Sequence, residues 1–469
     1  MRRLSAAAAA ALVVAVAGCG DGPIASAPER PPDVLLVLVD ALRRDHVGCY
    51  GYPKPTTPFL DELGEQGVVF DDALAQAPQT LNSTASLLTS RHFPFLLWGV
   101  EHDPIPGVAP EHHEQWAKTP RLAAANLTLA EVLRGGGYET VALFNNPHHH
   151  ATSGFGQGFE TARLLPRDPD TAYARAASLV DAFLEWHAGR DRSRPFFAYL
   201  HAMDPHNPYR PTAAARALFP PPAGRHLYAN GPPEASFTEA DLAHMTALYD
   251  AEIRAFDDEL RRLVGELEGR DGAGRTVIVV TADHGEELMD HGGLGHGKTV
   301  ELELLRIPLV LSGGPFAEQA GTRVKPLVRN LDLAPTIVGL AGLPIPADFE
   351  GLSLLPLVEG DASVPPAVSF AWVAQLRSLT SAEWHCMRPV GAGRPVLYHR
   401  PSDPAGTVDR AAGHPDVAAL CEARLERLEA ERLESERRAR VLKGVETGAE
   451  MPPDNADVLE QLRALGYVE

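Results

Sequence analysis

Asp33-Val34-Leu35-Leu36-Val37-Leu38-Val39-Asp40 is a continuous apolar run between two carboxylates, and it decides the fold class of this chain. Such a run is typical of a strand that is buried on both faces of a parallel or mixed sheet. Ligands collect outside the carboxyl ends of strands in open α/β sheets. The position of Asp40 at the end of the strand therefore makes it a candidate ligand.

Helix and strand patterns alternate after this run. Cap and breaker residues predict helices over 57–67, 127–134, 171–187 and 238–267. Apolar runs predict strands over 140–144, 195–201 and 276–281, the last of which ends just before Asp283. This alternation predicts an α/β fold in which helices cover both faces of the sheet.

The pattern of predicted secondary structure changes past residue 360. Short strand-like pieces at 367–372 and 395–398 are separated by turn residues, and a charged helical stretch follows over 417–442. Its leucine stripe predicts a solvated helix that packs along one face. With 469 residues the chain exceeds the usual size of one domain. We therefore expect a catalytic domain over 33–360 and a smaller subdomain of short antiparallel strands and a helix over 361–469.

The N-terminus carries the features of an export signal. Met1-Arg2-Arg3 is followed by an apolar run and then by Val16-Ala17-Gly18-Cys19, which resembles a bacterial lipobox. This pattern predicts a lipoprotein signal peptide over 1–18, diacylglycerol on Cys19 and a flexible tether over 19–32. The protein would then be extracytoplasmic and held on a membrane surface. The alternative is an ordinary cleaved signal with an incidental cysteine.

Charge and cysteine content restrict the partners. The formal net charge of -20 repels polyanions, so nucleic acid is not expected as a partner, and an anionic substrate needs a local cluster of positive groups. Beyond Cys19 the cysteines are Cys49, Cys386 and Cys421. This odd number argues against a disulfide framework, although one pair could form.

Two separated segments offer metal ligands. Asp40 supplies a carboxylate at one strand end, and Asp283-His284 supplies a carboxylate and an imidazole at another. Oxygen and nitrogen ligands together suit Zn²⁺ or Mn²⁺ better than Ca²⁺. A single Asp at a strand end is often a helix cap, so the prediction rests on the combination.

The stretch 33–52 resembles the opening of the sulfatase family within the alkaline phosphatase superfamily, from Val39-Asp40-Ala41-Leu42-Arg43-Arg44-Asp45 onward. Further segments of the same resemblance follow in order: Leu87-Leu88-Thr89-Ser90-Arg91, Met203-Asp204-Pro205-His206-Asn207-Pro208-Tyr209, Asp283-His284-Gly285-Glu286, Gly295-His296-Gly297-Lys298, Asp332-Leu333-Ala334-Pro335-Thr336 and Leu462-Arg463-Ala464-Leu465-Gly466-Tyr467. The resemblance implies an alkaline-phosphatase-like mixed sheet sandwiched by helices. It also implies a hydrolase of anionic phosphate or sulfate esters carried by a sugar, a lipid or a small molecule.

One departure from the family changes the expected chemistry. Sulfatases carry Cys or Ser in a C/S-x-P-x-R motif that is converted to formylglycine, whereas this chain has Thr80-Leu81-Asn82-Ser83-Thr84 at those positions. Ala41 also stands where many sulfatases have a second Asp for Ca²⁺. We therefore expect no formylglycine and predict Thr80 as nucleophile, activated by direct coordination to a divalent cation. The structural alternative is that Thr80 caps a helix.

The other predicted catalytic residues are His206, His296 and Lys298. The resemblance places both histidines near the departing ester oxygen, with His206 favoured as its proton donor and Lys298 as a positive charge for a substrate oxygen. The two histidines could instead hold a second metal ion, or His206 could serve only to bind backbone. His201 and His291 are read as supporting or incidental. The adjacent His148, His149 and His150 cannot all face one ion, but could line the substrate entrance.

Water as the final acceptor makes the predicted enzyme a hydrolase, and a sugar or lipid hydroxyl makes it a transferase of the phosphoethanolamine or phosphoglycerol type. The absence of predicted membrane spans favours hydrolysis, and the absence of the formylglycine motif favours phosphorus over sulfur. A non-catalytic sulfatase-like binding lipoprotein is the alternative of a different class, because Asn82 and Thr84 replace the Pro and Arg of the motif.

Overall fold

The structure is a computed structural model that describes residues 30–99, 121–149, 153–168, 173–225, 236–272, 274–391 and 393–447. The predicted signal peptide and most of the tether therefore lie outside the described residues, as does His150. Among the described residues, no helix has the length and apolar character needed to span a membrane.

The strands of the described residues are β1 (Asp33–Val39), β2 (Val68–Phe70), β3 (Ala73–Leu74), β4 (Trp98–Gly99), β5 (Arg121–Leu122), β6 (Glu139–Phe144), β7 (Thr161–Leu164), β8 (Phe196–Ala202), β9 (Thr276–Ala282), β10 (Glu287–Leu288), β11 (Leu294–Gly295), β12 (Arg306–Ile307), β13 (Leu309–Ser312), β14 (Thr322–Val324), β15 (Val328–Arg329), β16 (Ser369–Val373), β17 (Leu376–Thr380), β18 (Trp384–Pro389) and β19 (Val396–His399).

The α-helices of the same residues are α1 (Pro58–Glu65), α2 (Thr80–Thr89), α3 (Leu129–Gly135), α4 (Ala176–Gly189), α5 (Ala213–Leu218), α6 (Glu239–Asp271), α7 (Leu302–Leu305), α8 (Leu333–Leu340), α9 (Leu355–Val358) and α10 (Pro415–Thr447).

An eight-stranded mixed sheet forms the centre of the protein, in the order β14-β2-β13-β9-β1-β8-β6-β7. β1 runs parallel to both of its neighbours, β8 and β9, while β13 is antiparallel to β9 and β2. Every residue of β1, β8 and β9 is buried, as the continuous apolar runs predict. The predicted α/β fold with a mixed sheet is confirmed.

The helices that pack on this sheet form two groups. α6 contacts both α1 and α4 in the first group, and α2, α3 and α8 contact one another in the second. The predicted capping box of α6 is present: Thr238 accepts from the backbone of Asp241, whose carboxylate accepts from the backbone of Thr238. α4 begins at Ala176, later than predicted, because the buried carboxylate of Asp204 accepts the Ala176 N–H at 2.8 Å.

A separate four-stranded antiparallel sheet, in the order β16-β17-β18-β19, follows the strands of the central sheet in the chain. Its inner face packs through Ala371, Val373 and Met387 against Leu74 and Leu305, which precede it in the chain. The other side packs against α10 through an apolar cluster. The short antiparallel strands and the charged helix are those that the sequence predicts for the C-terminal subdomain.

One disulfide joins this sheet to its helix. Cys386 of β18 bonds to Cys421 of α10 across 35 residues of sequence, and Cys49 stays free and partly buried. The pair that the sequence allowed thus forms between two elements whose apolar cluster is small. Because a cross-link restricts the unfolded chain, we expect it to be a main contributor to the docking of α10.

Cys421→Ala is expected to lower the stability of the C-terminal subdomain by about 2–4 kcal/mol, the usual contribution of one native disulfide. The arginine-rich helix α10 would then be cleaved by trypsin at lower temperature than in the wild type. Cys49→Ala, which removes a thiol that forms no disulfide, is the control and should leave the cleavage profile unchanged. Equal cleavage of both variants would show that the cross-link does not hold the helix.

Candidate active site and metal centre

The two predicted carboxylate ligands lie at the ends of neighbouring strands. Val39, the last residue of β1, pairs with Ala282 of β9 on one side and with Ala202 of β8 on the other. Asp40 and Asp283 therefore leave the sheet side by side at its carboxyl edge, and both are fully buried. The position expected from the sequence is the one that the strand register produces.

Each carboxylate has one oxygen that is held by protein groups. Asp40 Oδ2 accepts a hydrogen bond from Asn146 Nδ2 at 2.7 Å and lies 3.2 Å from His201 Nε2. Asp283 Oδ1 accepts the backbone N–H groups of Ala41 at 3.1 Å and His284 at 2.8 Å. These contacts fix the orientation of both carboxylates, so that the remaining oxygens have a defined direction.

Those remaining oxygens, Asp40 Oδ1 and Asp283 Oδ2, are buried and have no hydrogen-bond partner among the described residues. His284 Nε2 lies 3.8 Å from the first and 3.5 Å from the second. Because a buried charge without partners is costly, two such oxygens beside an imidazole fit a divalent cation. The mixed oxygen and nitrogen donors are of the kind that zinc and manganese accept.

His284 is oriented and neutral, as a metal ligand must be. Its Nδ1 lies 2.8 Å from the carbonyl oxygen of Gly285, which can only accept, so the proton sits on Nδ1 and Nε2 keeps its lone pair. Burial, together with the neighbouring His296, lowers the pKa of His284 to about 3. The imidazole therefore stays uncharged in the physiological range.

The pKa values of Asp40 and Asp283 reflect the cost of holding two carboxylates close together in a buried site. Burial and the charge of Asp40 raise the pKa of Asp283 well above its usual value. Burial opposes ionisation of Asp40 as well, but the facing His206, His201 and His284 hold its pKa well below the usual value. A cation between the two carboxylates would remove the repulsion that separates their titrations.

His201 takes a larger part than the supporting or incidental one expected for it. Asp40, His201 and Asp283 each offer a ligand atom, and these atoms lie within 4.8 Å of one another. Tyr199 contacts the far nitrogen of the ring, with its hydroxyl 3.1 Å from Nδ1. His201 thus either orients Asp40 or serves as a ligand beside it, and its position inside β8 gave the sequence no motif by which to find it.

Thr80 stands beside this centre. It is the first residue of α2, and its Oγ1 lies 3.4 Å from Asp40 Oδ2 and 3.4 Å from His284 Nε2. The alternative reading of Thr80 as a helix cap is not the arrangement found, because Gln79 occupies the cap position without a side-chain cap bond. The structure therefore brings together all four predicted metal-site residues, Asp40, Thr80, Asp283 and His284.

Two residues that the sequence did not single out hold α2 against the metal centre. Ser83 Oγ donates to the carbonyl oxygen of Asp283 at 2.5 Å, and Asn330 Nδ2 donates to Ser83 Oγ at 2.8 Å. Both side chains are buried. Gly285 adds a close approach of backbone, since a Cβ at this position would lie 1.9 Å from the carbonyl oxygen of Glu303.

The predicted histidines form a cluster next to His284. The ring centroid of His296 lies 4.4 Å from that of His284 and 5.0 Å from that of His206. The buried Glu286 carboxylate lies 3.0 Å from His296 Nδ1 and also accepts from Tyr209 at 3.3 Å. Although burial opposes it, Glu286 raises the pKa of His296, so a charged imidazolium is favoured there. Glu286 lies within a segment that the sequence singled out, but its pairing with His296 was missed.

A cavity of about 280 Å³ opens beside His296. Lys298 is exposed and lines it, together with the glycine-rich stretch 292–295 and with Glu287, His291 and Glu301. The substrate role of Lys298 stays a prediction. His149, in contrast, is buried and stacks on Phe144 with a centroid distance of 5.0 Å.

His291 joins the wall of this cavity to the C-terminal subdomain. Its Nδ1 lies 2.8 Å from Glu303 Oε1 and its Nε2 lies 2.9 Å from the carbonyl oxygen of Gly406. Both partners are acceptors, so both nitrogens carry a proton and the ring is an imidazolium. Hydrogen bonding to Glu303, against the effect of burial, raises the pKa of His291 to about 10.

This raised pKa predicts a pH-dependent contribution to stability. Since the folded pKa lies above the unfolded value of about 6.5, the stabilisation is fully present below that pH and is lost as the pH rises through about 10. His291→Gln should therefore lower the unfolding free energy by about 1.5–3 kcal/mol at pH 6 and by much less at pH 10. Urea unfolding at several pH values measures this, with exposed His414→Gln as control. A deficit that is independent of pH would contradict it.

Comparison with known proteins agrees with this geometry. The profile of the sulfatase family matches residues 32–343. Arylsulfatase A of Homo sapiens is 28% identical over 401 residues, covering 72% of this chain and 69% of that protein. N-acetylglucosamine-6-O-sulfatase of Bacteroides thetaiotaomicron is 23% identical over 430 residues, covering 72% of each. Phosphonate monoester hydrolase of Agrobacterium radiobacter superposes with a TM-score of 0.67 at 21% identity, covering 86% of this chain and 96% of that one.

The fold and the site together define an ester hydrolase of the alkaline phosphatase superfamily, acting on sulfate or phosphate esters. Within that class, the chain belongs to the sulfatase family. The family is metal-dependent, and the group of Asp40, His201 and Asp283 is a possible metal site of this chain. The predicted family and enzyme class are confirmed.

Proposed function

We propose that this chain is a divalent-metal-dependent hydrolase that cleaves phosphate or sulfate esters through a covalent intermediate on Thr80. One observation carries the proposal. Thr80 Oγ1 lies within 3.4 Å of Asp40 and His284, next to two buried carboxylate oxygens that have no hydrogen-bond partner among the described residues. A hydroxyl, a candidate cation site and a cluster of histidines thus meet at one edge of the sheet.

Asp40, Asp283, His284 and Thr80 would hold the cation, with zinc or manganese favoured over calcium because nitrogen is among the donors. When bound, such a cation lowers the pKa of the nucleophilic hydroxyl and neutralises charge on an ester oxygen in the transition state. Asn146 and the backbone of Ala41 keep the carboxylates aimed at it.

In the first step, the hydroxyl proton of Thr80 passes to solvent, and Thr80 Oγ1 forms a bond to phosphorus or sulfur. The bond from that atom to the leaving oxygen breaks, and the leaving oxygen takes a proton from His206. His206 Nδ1 is hydrogen-bonded to the carbonyl oxygen of Asn207, so Nε2 is the nitrogen that gives the proton to the leaving oxygen. The imidazolium of His296, held by Glu286, binds a substrate oxygen.

In the second step, water attacks the phospho- or sulfo-threonine and gives a proton to His206, which restores its charged form. The bond between Thr80 Oγ1 and phosphorus or sulfur breaks, and Thr80 Oγ1 takes up a proton from solvent. Water as acceptor makes the reaction a hydrolysis. The residues that act are the same in both steps, which is why a single histidine can serve as acid and then as base.

The substrate is an anionic ester carried by a sugar, a lipid or a small molecule. The named relatives act on sulfate esters, and the phosphonate monoester hydrolase has the same fold. The sulfatase motif is replaced by Thr80-Leu81-Asn82-Ser83-Thr84, so phosphorus is favoured over sulfur. The cavity of about 280 Å³ beside His296 accommodates the alcohol part, with Lys298 at an ester oxygen.

The protein acts outside the cytoplasm, anchored to a membrane through Cys19. The lipobox-like sequence and the disulfide between Cys386 and Cys421 support this location, because disulfides persist mainly in oxidising compartments. Cys19→Ala should move the protein from the membrane fraction to the soluble fraction and abolish incorporation of labelled fatty acid. Unchanged fractionation without label in the wild type would rule the anchor out.

The proposed function is tested by measuring turnover of metal-depleted protein before and after Zn²⁺ or Mn²⁺ is added. The substrates are an aryl sulfate, an aryl phosphate, an aryl phosphodiester and an aryl phosphonate. Turnover that returns only with metal, and acid-quenched enzyme that carries a phosphoryl or sulfuryl group on the Thr80 peptide, would support it. Turnover that persists without metal or without this adduct would contradict it. Metal binding without turnover of any ester would favour a transferase or a binding protein instead.

A further inference from the structure

Three arginines line a second cavity, away from the residues of the metal centre. This cavity of about 250 Å³ lies where the catalytic part meets the C-terminal subdomain. Arg44, Arg306 and Arg400 form its walls, and we refer to it as the arginine pocket. Two carboxylates, Asp71 and Asp72, also face it. None of these five side chains takes part in the mechanism proposed above.

The arginine pocket has an excess of positive charge. Asp71 is bound by Arg323, which does not line the pocket, so Asp72 is the carboxylate left to face three guanidinium groups. Arg400 Nη2 lies 2.5 Å from Asp72 Oδ1, and Arg306 Nε lies 4.0 Å from the same oxygen. A local excess of cations is notable on a chain whose formal net charge is -20. Arginines gathered in this way attract an anion.

Hydrogen-bond donors in the pocket also lack acceptors. Nε of Arg44 and Nε of Arg400 are buried and have no hydrogen-bond partner among the described residues. Arg400 is only 4% exposed, so water does not satisfy this group freely. The guanidinium of Arg44 rests over the ring of Tyr50 at 4.4 Å, which positions it without using its N–H groups. Buried charged donors without acceptors are costly.

The electrostatic state of Arg306 agrees with this geometry. Burial, and then repulsion by Arg400, lower the pKa of Arg306 to about 10, and attraction by Asp72 only partly opposes them. One guanidinium is thus held in an environment that disfavours its charge. A bound anion would relieve both the repulsion and the missing hydrogen bonds.

We propose that the arginine pocket binds a tetrahedral oxyanion, sulfate or phosphate, either as the free ion or as a group on a larger ligand. The planar fork of arginine matches such oxyanions in geometry and charge. A neighbouring cavity of about 350 Å³ shares Arg44 and Arg306 with the pocket and provides room for the rest of a larger ligand. The site is independent of the proposed reaction and takes an anion of the kind which that reaction releases.

Calorimetric titration of metal-depleted full-length protein with sodium sulfate tests the proposal, with sodium chloride as the reference salt. Metal depletion removes the cation that would bind sulfate in the active site, so the titration reports on sites that need no metal. We expect one sulfate per chain in the wild type. Arg44→Met should weaken binding by at least about tenfold, since one charged hydrogen-bonding partner is lost.

Asp72→Asn should have the opposite effect and tighten sulfate binding several-fold, because it removes the carboxylate that competes for the arginines. Arg261→Met, which removes an exposed arginine paired with Glu62 elsewhere, is the matched control and should leave binding unchanged. Opposite signs for two substitutions in one pocket cannot arise from misfolding alone. No sulfate binding in the wild type, or equal affinities for wild type, Arg44→Met and Asp72→Asn, would overturn the proposal.

A heparin-derived trisulfated disaccharide distinguishes the two sources of the anion. Binding that is tighter than that of sodium sulfate and weakened by Arg44→Met would assign the pocket to a group on a larger ligand. Equal affinity for both would assign it to the free ion. Disaccharide binding that Arg44→Met leaves unchanged would count against the arginine pocket. Because turnover is not measured, failure of this site leaves the proposed hydrolase untouched, and the reverse also holds.

Discussion

Thr80→Ala is expected to lower kcat by at least about 10³-fold on every ester that the wild type cleaves, the usual scale for loss of a nucleophile. The methyl group left behind cannot form the covalent intermediate, whereas Thr80→Ser keeps a hydroxyl and should retain measurable turnover. Initial rates with saturating Zn²⁺ or Mn²⁺ measure the effect. Acid-quenched Thr80→Ala should carry no phosphoryl or sulfuryl group.

Thr84→Ala is the matched control for this prediction. Thr84 lies one turn further along α2 and is also buried, and its hydroxyl interacts with Tyr199. Its loss should change kcat by less than about tenfold. Similar losses in both variants would indicate damage to the helix, and full activity of Thr80→Ala would exclude the threonine mechanism.

Asp283→Asn is expected to change stability in opposite directions with and without metal. In metal-depleted protein it removes one of two buried carboxylates that repel each other, while the amide oxygen can still accept from Ala41 and His284. The unfolding free energy of the metal-depleted variant should therefore rise above that of the wild type. With Zn²⁺ or Mn²⁺ present, the wild type should be the more stable protein, because the variant has lost a ligand.

Thermal unfolding with and without metal, together with metal titration, checks whether the order of stability of the two proteins reverses when metal is added. The metal affinity of Asp283→Asn should fall by at least about 100-fold. Asp332→Asn serves as control, because Asp332 is also buried but is paired with Arg329 at 2.7 Å. This substitution should destabilise the protein in both conditions without changing metal affinity. Destabilisation of metal-depleted Asp283→Asn would show that the site does not hold two repelling charges.

Much of the central sheet and of the metal site could be predicted from the sequence. The apolar runs that became β1 and β9 are buried on both faces, and each is followed by a buried carboxylate that the sequence predicts as a metal ligand. Because parallel strands end at one edge, Asp40 and Asp283 had to approach each other once β1 and β9 were neighbours. The nucleophile position came from the resemblance, and the structure places Thr80 at that edge.

The partners of these residues could not be predicted, because they depend on strand order and not on any local pattern. Asn146 reaches Asp40 only because β6 lies next to β8, which in turn lies next to β1. His201 reads as an ordinary residue of a buried strand until the register places it beside Asp40. The pairing of Cys386 with Cys421 likewise depends on the docking of a helix onto a sheet.

The predicted reactive residues follow buried strands, whereas a connecting segment forms the cavity wall, and this separation affects how readily the protein could acquire new activities. Asp40, Asp283 and His284 follow the most buried strands, whereas the cavity beside His296 is walled by the surface stretch 291–301. Substitutions in that stretch can reshape substrate recognition while the reactive groups stay where the sheet puts them. Directed evolution toward other esters should therefore begin at Thr299, which lines the cavity and is only partly buried.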